Sequence, residues 1–206
     1  MRITIICEGR TESVFKEHLK RFVDGRLKRI VDGKLMDMPK PRLDFFRCDG
    51  AIPRENKLRR TVTTLLAHGS DAVIALTDAH PGFPAGAEDA KRQMREWVGD
   101  EPRFYPHVAL HDFEAWLLPY WDHIKKLARK EAQPFGEPEK VNHDKPPAHR
   151  LKALFEAGSC RDSYSKPRDA GRILKDVDLM IAIKACPELK SFVNTILHLS
   201  GGEVIP

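Results

Sequence analysis

Residues 2–19 read RITIICEGRTESVFKEHL, and the fold turns on how they are parsed. Ile3 to Cys7 is an unbroken run of apolar and β-favouring side chains, the pattern of a strand covered on both faces. The period then changes. Val14, Phe15, Leu19, Phe22 and Val23 recur three and four apart, which predicts an amphipathic helix with Gly25 as its stop. A buried strand followed by an amphipathic helix is the opening of a βαβ unit. Between the two sits Glu8, a carboxylate at the end of an apolar strand, followed by Gly9, which is expected to let the backbone turn sharply. The helix that begins near Thr11 would present its first N–H groups to a phosphate.

The alternation continues downstream. LDFFRC (43–48) predicts a second strand closed by Asp49-Gly50, and Leu58, Val62, Leu65 and Leu66 a second helix. DAVIALT (71–77) is the clearest buried strand and runs into the loop DAHPGFPAG. Ala90, Met94, Trp97 and Val98 mark a third helix, and FYPHVAL (104–110) a fourth strand whose Pro106 suits a sheet edge or a late start of the strand. The stretch from Gly25 to Arg42 is basic and punctuated by proline, and no element is assigned to it. Four strands separated by helices imply right-handed crossovers and a mainly parallel four-stranded α/β sheet flanked by helices.

Beyond residue 110 only helices are expected. Phe113, Trp116, Leu117, Tyr120, Trp121 and Ile124 make one apolar stripe, with Pro119 kinking it or starting a new helix. QPFGEPEKVNHDKPPAH (133–149), with four prolines, reads as a long loop. The last helix opens at Pro187 and ends at Gly201. The expected division is an α/β core over 1–118 and a helical extension over 119–206 packed on it as one unit.

The 206 residues are 41% hydrophobic and 32% charged, which is globular, and the net charge of +5 favours a polyanionic partner such as nucleic acid. Cys7, Cys48, Cys160 and Cys186 contain no CxxC pair, which argues against a zinc knuckle and suits a reducing cytoplasm. No signal h-region and no membrane-length apolar run occur, so an intracellular protein without a membrane partner is expected. A homodimer is left open. No Walker loop, GxGxxG or GxSxG is present.

In an open parallel sheet, ligands bind outside the carboxyl ends of the strands. Glu8 ends the first strand and Asp78 the third; if these strands are neighbours, two hard oxygen ligands meet there and suit Mg²⁺ or Mn²⁺. The plainer alternative is that both acids cap helices. HDFEAWLL (111–118) opens a helix at the same edge, and the three-residue spacing of His111 and Glu114 predicts a shared face that completes a metal shell or supplies a general acid or base; here too helix capping is the alternative. His80, two residues after Asp78, is close enough to join. His143, Lys145, His149, Arg150 and Lys152, with Tyr164, Lys166 and Arg168, form the expected phosphate-contacting patch.

Glu8-Gly9-Arg10-Thr11-Glu12 after a strand, with an Asp after a later strand, resembles the Toprim metal site of primases, topoisomerases and overcoming-lysogenization-defect nucleases. More closely, FYPHVALHDFEAWLL, PEKVNHDKPPAHRL, YSKPRDAG and IKACPELKSFV, in that order, resemble the bacterial Toprim-like domain of unknown function 4276. The resemblance implies a Toprim-like core with a helical C-terminal extension, and a divalent metal at Glu8 and Asp78 with Glu114, Glu12 and His111 nearby. It also implies a nuclease of anti-phage defence paired with an ABC-type ATPase. Two departures stand out. Asp78-Ala79-His80 replaces a two-aspartate pair, and Ala148-His149-Arg150 replaces a Ser-Lys-Arg run. The expected function is a metal-dependent nuclease; the alternatives are a non-catalytic interaction subunit and a small-molecule phosphohydrolase.

Overall fold

The computed structural model describes residues 1–31, 34–83, 86–141, 145–158 and 164–206; His143 and Cys160 lie outside the described residues. Strands β1 (Arg2–Cys7), β4 (Arg42–Arg47), β5 (Ala72–Asp78) and β6 (Phe104–Ala109) form one all-parallel sheet in the order β4-β1-β5-β6. The two apolar runs of the sequence, β1 and β5, are its central strands, because only central strands need covering on both faces. Pro106 sits in β6 at the sheet edge, where a missing N–H costs no ladder bond.

Side chains alternate between the two faces. Ile3, Ile5, Ile74 and Leu76 join a core with Phe15 and Leu19 of α1 (Arg10–Arg26) and with the C-terminal helices. Ile6, Val73 and Ala75 pack with Leu58 and Val62 of α2 (Glu55–Ala67) and Met94 of α3 (Ala87–Val98). The first cluster continues without a break past residue 118, through Trp116 and Phe192 to Ile205. α1 runs one residue past its expected stop, to Arg26.

Three local features differ from the sequence reading. The unassigned basic stretch contains an antiparallel hairpin of β2 (Lys28–Val31) and β3 (Lys34–Asp37). Strands of four residues are too short to show a period. The apolar stripe after β6 is a 3₁₀ helix, Phe113–Tyr120, that holds Pro119 in its last turn, and the α-helix proper, α4 (Trp121–Ala128), follows at once. The proline-rich loop holds, in its described part, a 3₁₀ turn, Pro138–Lys140, whose buried Glu139 accepts from Trp116 Nε1 (3.0 Å) and from the Glu188 amide (3.1 Å) in the first turn of α8 (Pro187–Leu199). A carboxylate on those amides satisfies helix N–H groups that otherwise lack partners. The remaining helices are α5 (Pro147–Ala157), α6 (Lys166–Ile173) and α7 (Leu179–Ala185).

Candidate metal and phosphate site

β1 and β5 are neighbours in parallel register, so Glu8 and Asp78 emerge side by side at one sheet edge. Glu8 Oε1 accepts from the Thr77 hydroxyl (2.5 Å) and from the Asp78 amide (3.0 Å), which fixes its carboxylate against the end of β5. Asp78 Oδ1 in turn accepts from the Phe113 amide (2.9 Å), tying β5 to the 3₁₀ helix that follows β6. Gly9 is extended (φ −152°, ψ −159°), not sharply turned. Glu12, one turn into α1, and Glu114, in the first turn of the 3₁₀ helix, are buried at 5% and 0% exposure. Glu8, Glu12, Asp78 and Glu114 line one cavity of about 180 Å³, with Lys166 on its wall.

Four carboxylates at so small a cavity repel one another. Burial, followed by Glu8, Asp112, Glu114 and Glu12, holds the Asp78 carboxyl well above its usual range. Burial, with Glu8 and Glu114, raises Glu12. The compensating charge is Lys166, whose Nζ lies 3.1 Å from Glu114 Oε2; burial alone would lower its pKa, but Glu114 and Asp78 hold it up. The Tyr164 hydroxyl donates to Glu114 Oε1 at 3.4 Å, and burial keeps that phenol protonated. Burial pushes the nearby Cys7 thiol up to about 12 and Cys48 to about 11, which leaves neither as a thiolate nucleophile.

The other predicted residues are placed differently. His80 does not line the acid cavity but an adjoining hollow that shares Glu8 and Asp78 with it. His111 precedes the helix instead of sharing its face with Glu114: its φ is +74°, and its carbonyl accepts from the His80 amide at 2.8 Å. Arg150 lies over the Phe135 ring and donates to the Lys145 carbonyl, and Arg168 pairs with buried Asp169 at 2.9 Å. Neither arginine lines the acid cavity, and the same holds for exposed Lys145 and His149. Among the described residues of that patch, Lys166 alone does.

One acid escapes the sequence reading. Asp112 is 5% exposed, its Oδ2 accepts from the Ala148 amide at the start of α5 (3.0 Å), and its Oδ1 is buried with no hydrogen-bond partner among the described residues. Burial, then Glu114, pushes its carboxyl up. The signal is present in HDFE, where Asp112 lies between His111 and Glu114. Among the described residues, no three His, Cys, Asp or Glu side chains are already grouped as a metal cluster.

An all-parallel four-stranded sheet with acids at the carboxyl ends of its strands, covered by C-terminal helices, is a Toprim-like α/β fold. The chain belongs to the family described as Domain of unknown function (DUF4276), whose profile matches residues 7–197. The C-terminal region of the Burkholderia pseudomallei OLD protein has a similar structure, at 14% identity, TM-score 0.52, and coverage of 96% of this chain and 98% of that one. The C-terminal region of the Xanthomonas campestris pv. campestris OLD protein is 12% identical, with TM-score 0.49 and coverage of 97% and 95%. No curated protein matches the sequence. Among the described residues no helix is long and apolar enough to cross a membrane.

Proposed function

We propose that the chain is a metal-dependent phosphodiesterase acting on nucleic acid, with Mg²⁺ or Mn²⁺ held by Glu8 and Asp78. The observation that carries this reading is the convergence of Glu8, Glu12, Asp78 and Glu114 on one cavity at the carboxyl ends of parallel strands. The donor set fits the ion: all are hard oxygens, and the orphaned Asp112 Oδ1 beside them is the mark of a negative cluster that one lysine does not satisfy. A bound divalent cation would polarise the scissile phosphate and lower the pKa of the attacking water.

The chain's own residues do the rest. Thr77 and the Asp78 amide hold Glu8 in one orientation. Glu12 adds a carboxylate from α1, and His80 a nitrogen donor from the adjoining hollow. Glu114 is better placed than His111 to orient or deprotonate water, because it faces the cavity. Lys166, at the wall, meets the phosphate. The resemblance to overcoming-lysogenization-defect nucleases supports a cytoplasmic role in anti-phage defence beside an ABC-type ATPase. The test is cleavage of plasmid, single strands and tRNA with Mg²⁺ or Mn²⁺. Equal activity in wild type and Glu8→Ala sinks the assignment.

A second reading, a non-catalytic interaction subunit, is favoured by His80 standing where a second aspartate was expected and by the absence of a ready three-ligand cluster among the described residues. No calorimetric heat with Mn²⁺, together with stoichiometric binding of an ATPase, would establish it.

A further inference from the structure

The hollow that adjoins the acid cavity has a volume of about 120 Å³ and, among the described residues, shares only Glu8 and Asp78 with it. Its distinctive wall is Arg54, the residue before α2, which is itself exposed. The guanidinium lies 5.3 Å from the centroid of the buried Phe83 ring, and a side chain on Gly82 would put a Cβ 2.5 Å from Arg54 Nη2. Ring and glycine together shape a seat for a flat guanidinium. Lys166 and Arg168 each already pair with a buried carboxylate, Glu114 and Asp169, the half-exposed Lys166 keeping donors free for a phosphate. Among the described residues no carboxylate lies within 4.0 Å of Arg54, so it meets an anion without giving up an ion pair.

We propose that Arg54 binds a phosphate of a polynucleotide adjacent to the one at the acid cavity, a reading that rests on the phosphodiesterase assignment. Arg54 and Lys166 stand in two hollows joined through Glu8 and Asp78. Successive phosphates of one strand meet both cations in turn, with the acid pair between them. A free phosphate would meet only one of the two cations.

The experiment is equilibrium binding of a labelled single-stranded oligonucleotide to the full chain in EDTA, where cleavage is silent, across a range of salt. Arg54→Gln should weaken binding about tenfold and reduce the slope of log K against log salt by about 0.7, the value for one single-strand phosphate contact. Gly82→Ala should move in the same direction with no change in net charge, and Arg54→Lys should keep part of the affinity. Arg60→Gln, an exposed charge on α2 outside the hollow, should change less. Equal losses in Arg54→Gln and Arg60→Gln overturn the proposal. Competition by a nucleoside monophosphate as tight as the oligonucleotide overturns its polynucleotide part. If Arg54-dependent binding persists while the wild type never cleaves with Mg²⁺ or Mn²⁺, the hydrolytic reading falls and the phosphate site stands.

Discussion

Lys166→Met removes the ammonium of the acid cavity while keeping most of the side-chain stem. Glu114 is fully buried and Lys166 Nζ lies 3.1 Å away, with the lysine side chain about half exposed (49%). At an effective dielectric near 20, that separation corresponds to an attraction of about 5 kcal/mol before desolvation. Breaking a buried pair costs about 3–5 kcal/mol, and solvent screening on the lysine side reduces this to roughly 2 kcal/mol. For a chain of this size, that lowers the melting temperature by about 4–8 °C. The assay is urea and thermal unfolding in EDTA at mildly alkaline pH for Lys166→Met, Glu114→Gln and the double variant. The double variant should be less destabilised than the sum of the singles by about 1–2 kcal/mol, because each single change strands the other group. Mg²⁺ or Mn²⁺ should restore Lys166→Met more than it stabilises the wild type, since a divalent ion then supplies the missing positive charge. Additive single changes, or a Lys166→Met protein as stable as the wild type in EDTA, would refute the view that this lysine neutralises the cavity.

Thr77→Val removes the hydroxyl that holds Glu8 Oε1; calorimetry with Mn²⁺ should show about tenfold weaker binding, as expected when a ligand loses its orienting partner, and unchanged affinity contradicts Glu8 as a ligand. Burial, with Lys91 and Arg95, pushes His107 down to about 3. Its ring stays neutral in the fold while the unfolded chain takes up a proton, so stability is intact above the unfolded value of about 6.5 and falls as pH drops toward 3. His107→Gln should remove up to about 1.4 kcal/mol per pH unit of that slope in urea titrations across this window, and parallel slopes would count against it. Glu139→Ala leaves the Trp116 N–H buried without its acceptor and should cost about 2–3 kcal/mol, read by denaturation. Wild-type stability in that variant would mean that the loop is not pinned there.

The sheet was legible because its signal is collective: β1 and β5 are buried on both faces, so the residues from Ile3 to Cys7 and from Ala72 to Leu76, the β-branched Thr4 apart, carry the same apolar message. The missing N–H of Pro106 allowed an edge position or a late start, and the strand lies at the edge. The hairpin of β2 and β3 was not legible, since four residues per strand give no period to detect. Glu8 and Asp78 could be read as neighbours because chain direction places the ends of parallel strands together whatever the side chains do, whereas Glu114 rested on its place just after the fourth strand and Glu12 on the Toprim resemblance alone. The basic patch was less tractable. Where Arg150 and Arg168 point depends on local partners, the Lys145 carbonyl and Asp169, which sequence spacing does not encode. Arg54 was overlooked for the converse reason: its setting beside the acids depends on Phe83 and Gly82, distant in sequence.

His80 marked the weak point of the site, since imidazole there replaces an expected second carboxylate after β5. The geometry shifts attention one strand over. In this register Asp78 lies opposite Ala109, so the residues just after β6 are carried to the same edge. Asp112 arrives there with one oxygen on the Ala148 amide and the other unpartnered among the described residues, and its charge reaches Asp78. The carboxylate expected after β5 thus has a buried counterpart after β6 that acts electrostatically on Asp78. If that counterpart is functional, Asp112→Asn should weaken Mn²⁺ binding while His80→Ala leaves it nearly unchanged, because a hard ion gains more from a carboxylate than from a nitrogen donor. The opposite ranking would show that the nitrogen donor had taken over the aspartate's place.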